Sequence, residues 1–192
     1  MRSSPVWLQA GVLRSRVTRD LASNDSTGER EEDDCKHDPG GGTRVPYARE
    51  VVFDAWTIPD QMSQWRGSPG WHVDPATVTS ELKPGGRHHH DKVRESDGQV
   101  VGTDAVFTEY FRPDVFVAKQ RITGDDGINP DQPLELRVEF TKMGRHGTLV
   151  RIIQGPYDPS QSELHSEGWE LELERLSQWL QANATPIEGA AR

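Results

Sequence analysis

Apolar positions recur at helical spacing in one long stretch near the end of this chain, and they alternate with polar ones through most of the residues before it. From Ser160 to Ala182, at about 100° per residue, His165, Trp169, Leu173, Leu176 and Leu180 fall on one stripe. Glu172 and Trp179 flank it, and Glu167, Glu170, Glu174 and Gln178 lie opposite. This pattern predicts an amphipathic helix buried along one side. Asp158-Pro159 and a Ser160…Glu163 capping box mark its start, and Asn183 followed by Pro186 marks its end.

Upstream, the period changes. Val52, Phe53, Ala55 and Trp56 give a short helix over Ala48 to Thr57 an apolar face, and Pro59 opens a second short helix that runs to about Trp65. From Trp71 onward, alternation predicts strands at Val73–Leu82, Arg87–Arg94, Val100–Phe111, Val115–Thr123, Leu134–Met143 and Thr148–Gly155. The connections are turn-like, as in Lys83-Pro84-Gly85-Gly86 and Ser96-Asp97-Gly98, so the strands should form an antiparallel meander. Leu134, Leu136, Val138 and Phe140 share a face against Glu135, Arg137, Glu139 and Thr141, which makes the sheet apolar on one side only. Such a sheet needs a cover, and the long helix supplies it. The fold class is α+β.

Composition narrows the possible roles. The chain has 192 residues, a net charge of -9 and one cysteine, Cys35. That charge argues against nucleic acid or an anionic membrane surface as a partner, and the single cysteine excludes an internal disulfide and fits a cytoplasmic setting. No apolar run reaches the roughly 18 residues of a membrane span. Residues 1–42 combine an Arg-rich start, the acidic run Glu29 to Asp34 and Pro39-Gly40-Gly41-Gly42, which reads as a disordered extension and linker. One domain is expected over 43–182 and a flexible tail over 183–192. Phosphate-cradling, dinucleotide-binding and nucleophile-elbow motifs are all missing.

The stretch from Thr43 to about Gln181 resembles the START-like (SRPBCC, Bet v 1-like) helix-grip superfamily, in particular the branch similar to the C-terminal domain of the activator of the Hsp90 ATPase. The likeness is carried by Val52-Phe53-Asp54-Ala55-Trp56-Thr57 with Pro59, by Trp65 and Gly67, by Gly85-Gly86, by Glu109 before Arg112-Pro113, and by His165, Gly168-Trp169 and Leu176. It implies a curved antiparallel sheet of about six to seven strands gripping the final helix, two short helices near the start, and a cavity between sheet and helix. It also implies apolar small molecules as ligands, cyclase or hydrolase chemistry in some members, and an Hsp90-type chaperone as the partner of the namesake. The chain departs from the family at three places. The position of the first strand is the poor strand Asp38 to Gly42, so that strand is short, missing or replaced by Leu13 to Thr18. Arg66 stands where relatives often have Trp, and His88-His89-His90 replaces an aromatic and basic alternation.

Candidate site residues follow from these patterns. His88 and His90 share one face of a strand and His89 takes the other. His88 and His90 could join His165 and Glu172 as ligands or acid/base groups, but neither pair has a known zinc spacing, so no metal and no cofactor is assigned. Glu109 is the lone carboxylate in an apolar run. Facing inward beside an imidazole it would be a general base; otherwise it pairs with Arg121 or Lys119. Trp65, Trp71, Phe107, Phe116, Phe140, Gln154, Trp169 and Leu173 complete the expected cavity lining, although such aromatics also serve as core. The preferred reading is a binder of a small hydrophobic molecule. A chaperone-linked module and an enzyme using Glu109 with His88 or His90 are the alternatives.

Overall fold

Proline placement shapes the start of the domain. In the computed structural model, which describes residues 37–38, 42–125, 127–145, 147–157 and 159–186, helix α1 (Arg49–Thr57) stops at Ile58, whose backbone is extended. Helix α2 (Pro59–Trp65) begins on the next residue. A residue before proline is pushed out of helical geometry, and proline at the first helical position forfeits no hydrogen bond. The two helices therefore meet at a fixed kink.

Among the described residues, nine antiparallel strands form one curled sheet. They are β1 (His37–Asp38), β2 (Gly42–Val45), β3 (Trp71–Val73), β4 (Thr79–Ser80), β5 (Arg87–Arg94), β6 (Val100–Phe111), β7 (Val115–Thr123), β8 (Leu134–Lys142) and β9 (Thr148–Gly155). Their order is β1-β2-β9-β8-β7-β6-β5-β3, with β4 also on β5. Four long strands, β5, β6, β7 and β9, have the bounds that alternation predicts, and β8 ends one residue sooner. The sheet and the long helix α3 (Pro159–Asn183) together make the helix-grip arrangement.

One expectation is corrected, and among the alternatives for the first strand one is selected. The continuous strand Val73–Leu82 is instead β3, a single 3-10 turn at Pro75–Thr77, and β4. Pro75 has no N–H to give the ladder, and the Asp74 side chain accepts from the Ala76 N–H at 2.9 Å, which stabilises a turn there. The first strand is present but short: β2 pairs with β9 through Thr43 with Val150 and Val45 with Thr148. Glycine suits its first position, because a Cβ on Gly42 would lie 2.8 Å from the Leu149 side chain and the Val150 carbonyl oxygen. Leu13 to Thr18, Cys35 and most of the expected extension lie outside the described residues, as do the side chains of the Ser160…Glu163 capping box and the end of the expected tail.

On α3, Leu173, Leu176 and Leu180 are buried and Glu167, Glu170, Glu174 and Gln178 are exposed, as the helical stripe predicts. Facing them, Phe53 of α1 meets Phe140, Tyr110 and Phe116 edge-on at centroid distances of 5.1, 5.4 and 6.2 Å. Edge-to-face contact is the favoured geometry for such rings. Among the described residues no helix is long and apolar enough to cross a membrane. Phe53 is fully buried, so Phe53→Ala should lose about 3–5 kcal/mol of unfolding free energy. Urea denaturation with an unchanged slope checks this.

A polar cavity against an aromatic wall

Alternation along β5 turns His88, His90 and Lys92 toward the interior, while His89 faces out and pairs with Asp104 at 2.9 Å. On β7 the same rule turns Phe116, Ala118 and Gln120 inward, and on β6 Ala105 and Phe107. These strands, Leu136 of β8, and Trp56, Thr57, Met62 and Arg66 from α1, α2 and the residue after it enclose a cavity. The enclosed space is about 30 Å³, within a crevice of about 440 Å³ that includes the part open to solvent. Small-molecule sites usually run to roughly 300–1,000 Å³. The interior therefore admits a head group or a water, and anything larger needs side chains such as Met62 to give way. A groove of about 360 Å³ at the start of α1, between Arg49, Glu50, Lys142 and Arg145, brings none of the expected residues together.

Arg66 is 7% exposed and lies 4.3 Å from the ring centre of Trp169 and 5.3 Å from that of Trp56. Its Nε is 3.2 Å from Glu172 Oε2. The other oxygen of Glu172 accepts from Lys92 Nζ. One buried carboxylate on α3 thus faces two cations, from the end of α2 and from β5. Burial alone would raise the Glu172 carboxyl, but Lys92 and Arg66 outweigh it and hold the group below its ordinary value. Burial lowers both Lys92 and Arg66, and Glu172 opposes that shift.

The two inward histidines bond to each other, with His88 Nε2 3.0 Å from His90 Nδ1. Burial, followed by Arg66, pushes His88 down to about 4 and His90 well below the ordinary imidazole range. Both rings are neutral at pH 7. Their outer nitrogens, His88 Nδ1 and His90 Nε2, are buried without a hydrogen-bond partner, as is Trp56 Nε1. All three atoms belong to residues that line the cavity.

The expected site residues sort into three groups. His88, His90, Phe107 and Phe116 line the cavity. Trp169 and Gln154 lie behind it: Gln154 accepts from Trp169 Nε1 at 2.8 Å and from the Tyr157 hydroxyl, and donates to Gln120 at 2.6 Å. The rest are elsewhere. Trp65 is core, its Nε1 donating to the Ala55 carbonyl at 2.8 Å, and Phe140 and Leu173 are core as well. Trp71 sits under Arg94, and His165 stacks on Tyr157 at 4.1 Å. Among the described residues, helix α3 adds no lining side chain; it fixes Arg66 from behind.

Glu109 is corrected. Thr108 is an extra residue in the β6–β7 ladder, where Phe107 pairs with Ala118 and Glu109 with Val117. This bulge reverses the alternation. Tyr110 goes inward onto Phe53, while Glu109 takes the outer face beside Arg137, 3.4 Å away, rather than Arg121 or Lys119. Glu109 and the histidines are thus on opposite faces of the sheet and do not act as a pair.

Arg66, Gln120, Met62 and Trp56 are among the lining residues that the expected set lacks. Gln120 carried a signal, as the one polar residue on the inward alternation Phe116, Ala118, Gln120.

A sequence profile for activator of Hsp90 ATPase homolog 1-like proteins matches residues 46–181. The chain belongs to this family. Solved structures with the same fold include a Chromobacterium violaceum protein at 16% identity and TM-score 0.62, covering 71% of this chain and 92% of that one. An AHSA1 protein from Silicibacter pomeroyi matches at 19% and 0.60, with 73% and 95% covered. An AHSA1-like protein from Aeromonas hydrophila matches at 22% and 0.53, with 72% and 88% covered. No curated protein matches in sequence.

In this member of the family, the polar interior yields two predictions. Glu172→Gln leaves two buried cations without their carboxylate and should cost about 3–5 kcal/mol, read by denaturant titration. The histidines make stability depend on pH. Their native values lie below the unfolded value, so on acidification the unfolded chain takes up protons first. The stability is complete above pH 6.5 and is lost as pH falls toward 4, by roughly 3 kcal/mol for His88 alone. Urea midpoints between those limits should show the fall, and the double variant His88→Gln, His90→Gln should flatten it.

Proposed function

We propose that this chain is a binding protein for a small, largely apolar molecule, held in the cavity between the sheet and helices α1 and α2. The observation that supports it is the set of buried, unpartnered polar atoms on Trp56, His88 and His90, beside the buried Arg66 cation and set against Phe107, Phe116, Met62 and Leu136. A buried polar atom left without a partner costs about 1–3 kcal/mol. Such atoms gathered around one space favour a bound group that satisfies them, and the aromatic wall favours an apolar remainder. The helix-grip fold of the family is compatible with this role. The chaperone-linked reading has the family name behind it and no particular residue of this chain.

A thermal-shift screen of small aromatic and aliphatic compounds tests the proposal. A ligand present at 100 times its Kd should add about 2.7 kcal/mol to stability. Ala118→Val, which places two more methyl groups in the enclosed space, should remove that gain while the protein stays folded. If no compound stabilises the protein, or Ala118→Val binds as the parent does, the cavity is not the site.

A further inference from the structure

We infer that the molecule bound in this cavity carries a single carboxylate, seated among Trp56, Arg66, His88 and His90, on an apolar body. This inference rests on the ligand-binding reading above and specifies its ligand class.

The first argument is a count of donors. Trp56 Nε1 can only donate. The bond between His88 and His90 contains one proton, so the neutral pair presents one N–H and one bare nitrogen at its two outer ends, whichever tautomer holds. The cavity residues thus offer two unpartnered donors and one acceptor beside the buried Arg66 guanidinium. A carboxylate is an acceptor with two oxygens and about four lone-pair sites, and it matches this surplus. An amide or alcohol brings donors of its own.

The second argument is charge. Arg66 and Lys92 share the one carboxylate of Glu172. The charged groups around them extend the imbalance: Arg175 acts on Glu172, and Asp125 is the acidic group acting on Lys92, Tyr157 and His165. Cations exceed carboxylates by one in this set. Of the cations, Arg66 lines the cavity. Buried charges persist when paired, so an anion at Arg66 completes the balance.

The third argument is size. The enclosed space of about 30 Å³ fits a head group, and the apolar lining continues from it toward Met62, Phe107, Phe116 and Leu136.

The test compares acids with their neutral amides on the full chain at pH 7: phenylacetate, 3-phenylpropionate, 4-phenylbutyrate and octanoate, each against its primary amide. Tryptophan fluorescence reports binding, since Trp56 and Trp169 stack beside Arg66. The acids should bind about tenfold or more tightly than the amides, as charge-assisted bonds to guanidinium imply. Arg66→Gln leaves Lys92 and Glu172 a balanced pair, and it should bind acid and amide alike. Should that variant fail to fold, His90→Leu, expected to weaken the acid more than the amide, decides with the parent comparison. Amides binding as tightly as acids would overturn the carboxylate and leave the ligand-binding reading standing. Undiminished acid preference in Arg66→Gln would likewise overturn it. If neither class binds, both readings fall.

Discussion

Glu172 is the carboxylate on which the interior depends. It lies on α3 in a half-turn shared with Leu173, and it is 4% exposed. Arg66 reaches it from the end of α2 and Lys92 from β5, so one side chain ties the long helix to the short helices and to the sheet. One turn-step away, Arg175 donates to the carbonyls of Gly67, Ser68 and Trp71 at 2.7, 3.3 and 3.0 Å, fastening the same loop again. Burying three charges does not by itself add stability, because their desolvation offsets most of the attraction. What the arrangement yields is position. Arg66 lies against the indoles of Trp169 and Trp56, and it lines the cavity.

That geometry changes the part played by the last helix. Its apolar stripe is a core element, and Leu176 and Leu180 are fully buried. Its polar members act from behind the cavity. Glu172 holds Arg66, Trp169 stacks on Arg66 and donates to Gln154, and Gln154 bonds to Gln120, which lines the cavity. A chain of contacts therefore runs from α3 through β9 to β7, and among the described residues no α3 side chain reaches the lining.

Period and punctuation made the fold legible. Strands β5 to β9 follow the alternation, and the turns between them were marked by glycine and proline. Local patterning failed where one residue altered the register or interrupted a ladder. Pro75 and Asp74 turned an apparently continuous strand into a 3-10 turn, and Thr108 as a bulge sent Glu109 to the outer face. A bulge is a property of two strands, decided by how β6 pairs with β7, and one strand read alone does not contain it. The site was half legible for the same reason. The inward histidines followed from alternation within β5, whereas Arg66 lies in no periodic element, and its burial depends on Glu172, which is 106 positions away along the sequence. The departure from Trp to Arg at position 66 was visible, but its consequence was not.

The neutral histidines give this interior its chemical character. Desolvation, and after it Arg66, disfavours protonation of His88 and His90, and Lys92 adds to this at His90. Had the imidazoles ionised, the space would hold several cations around one carboxylate, at a cost that burial makes severe. Kept neutral, the pair supplies a donor and an acceptor without a further charge, so the surplus of one cation stays at Arg66. The cation that remains lies against two indoles and is held by Glu172, so little rotamer freedom is left to lose when an anion arrives. Charge and the unpartnered donors thus belong to residues that line the same cavity.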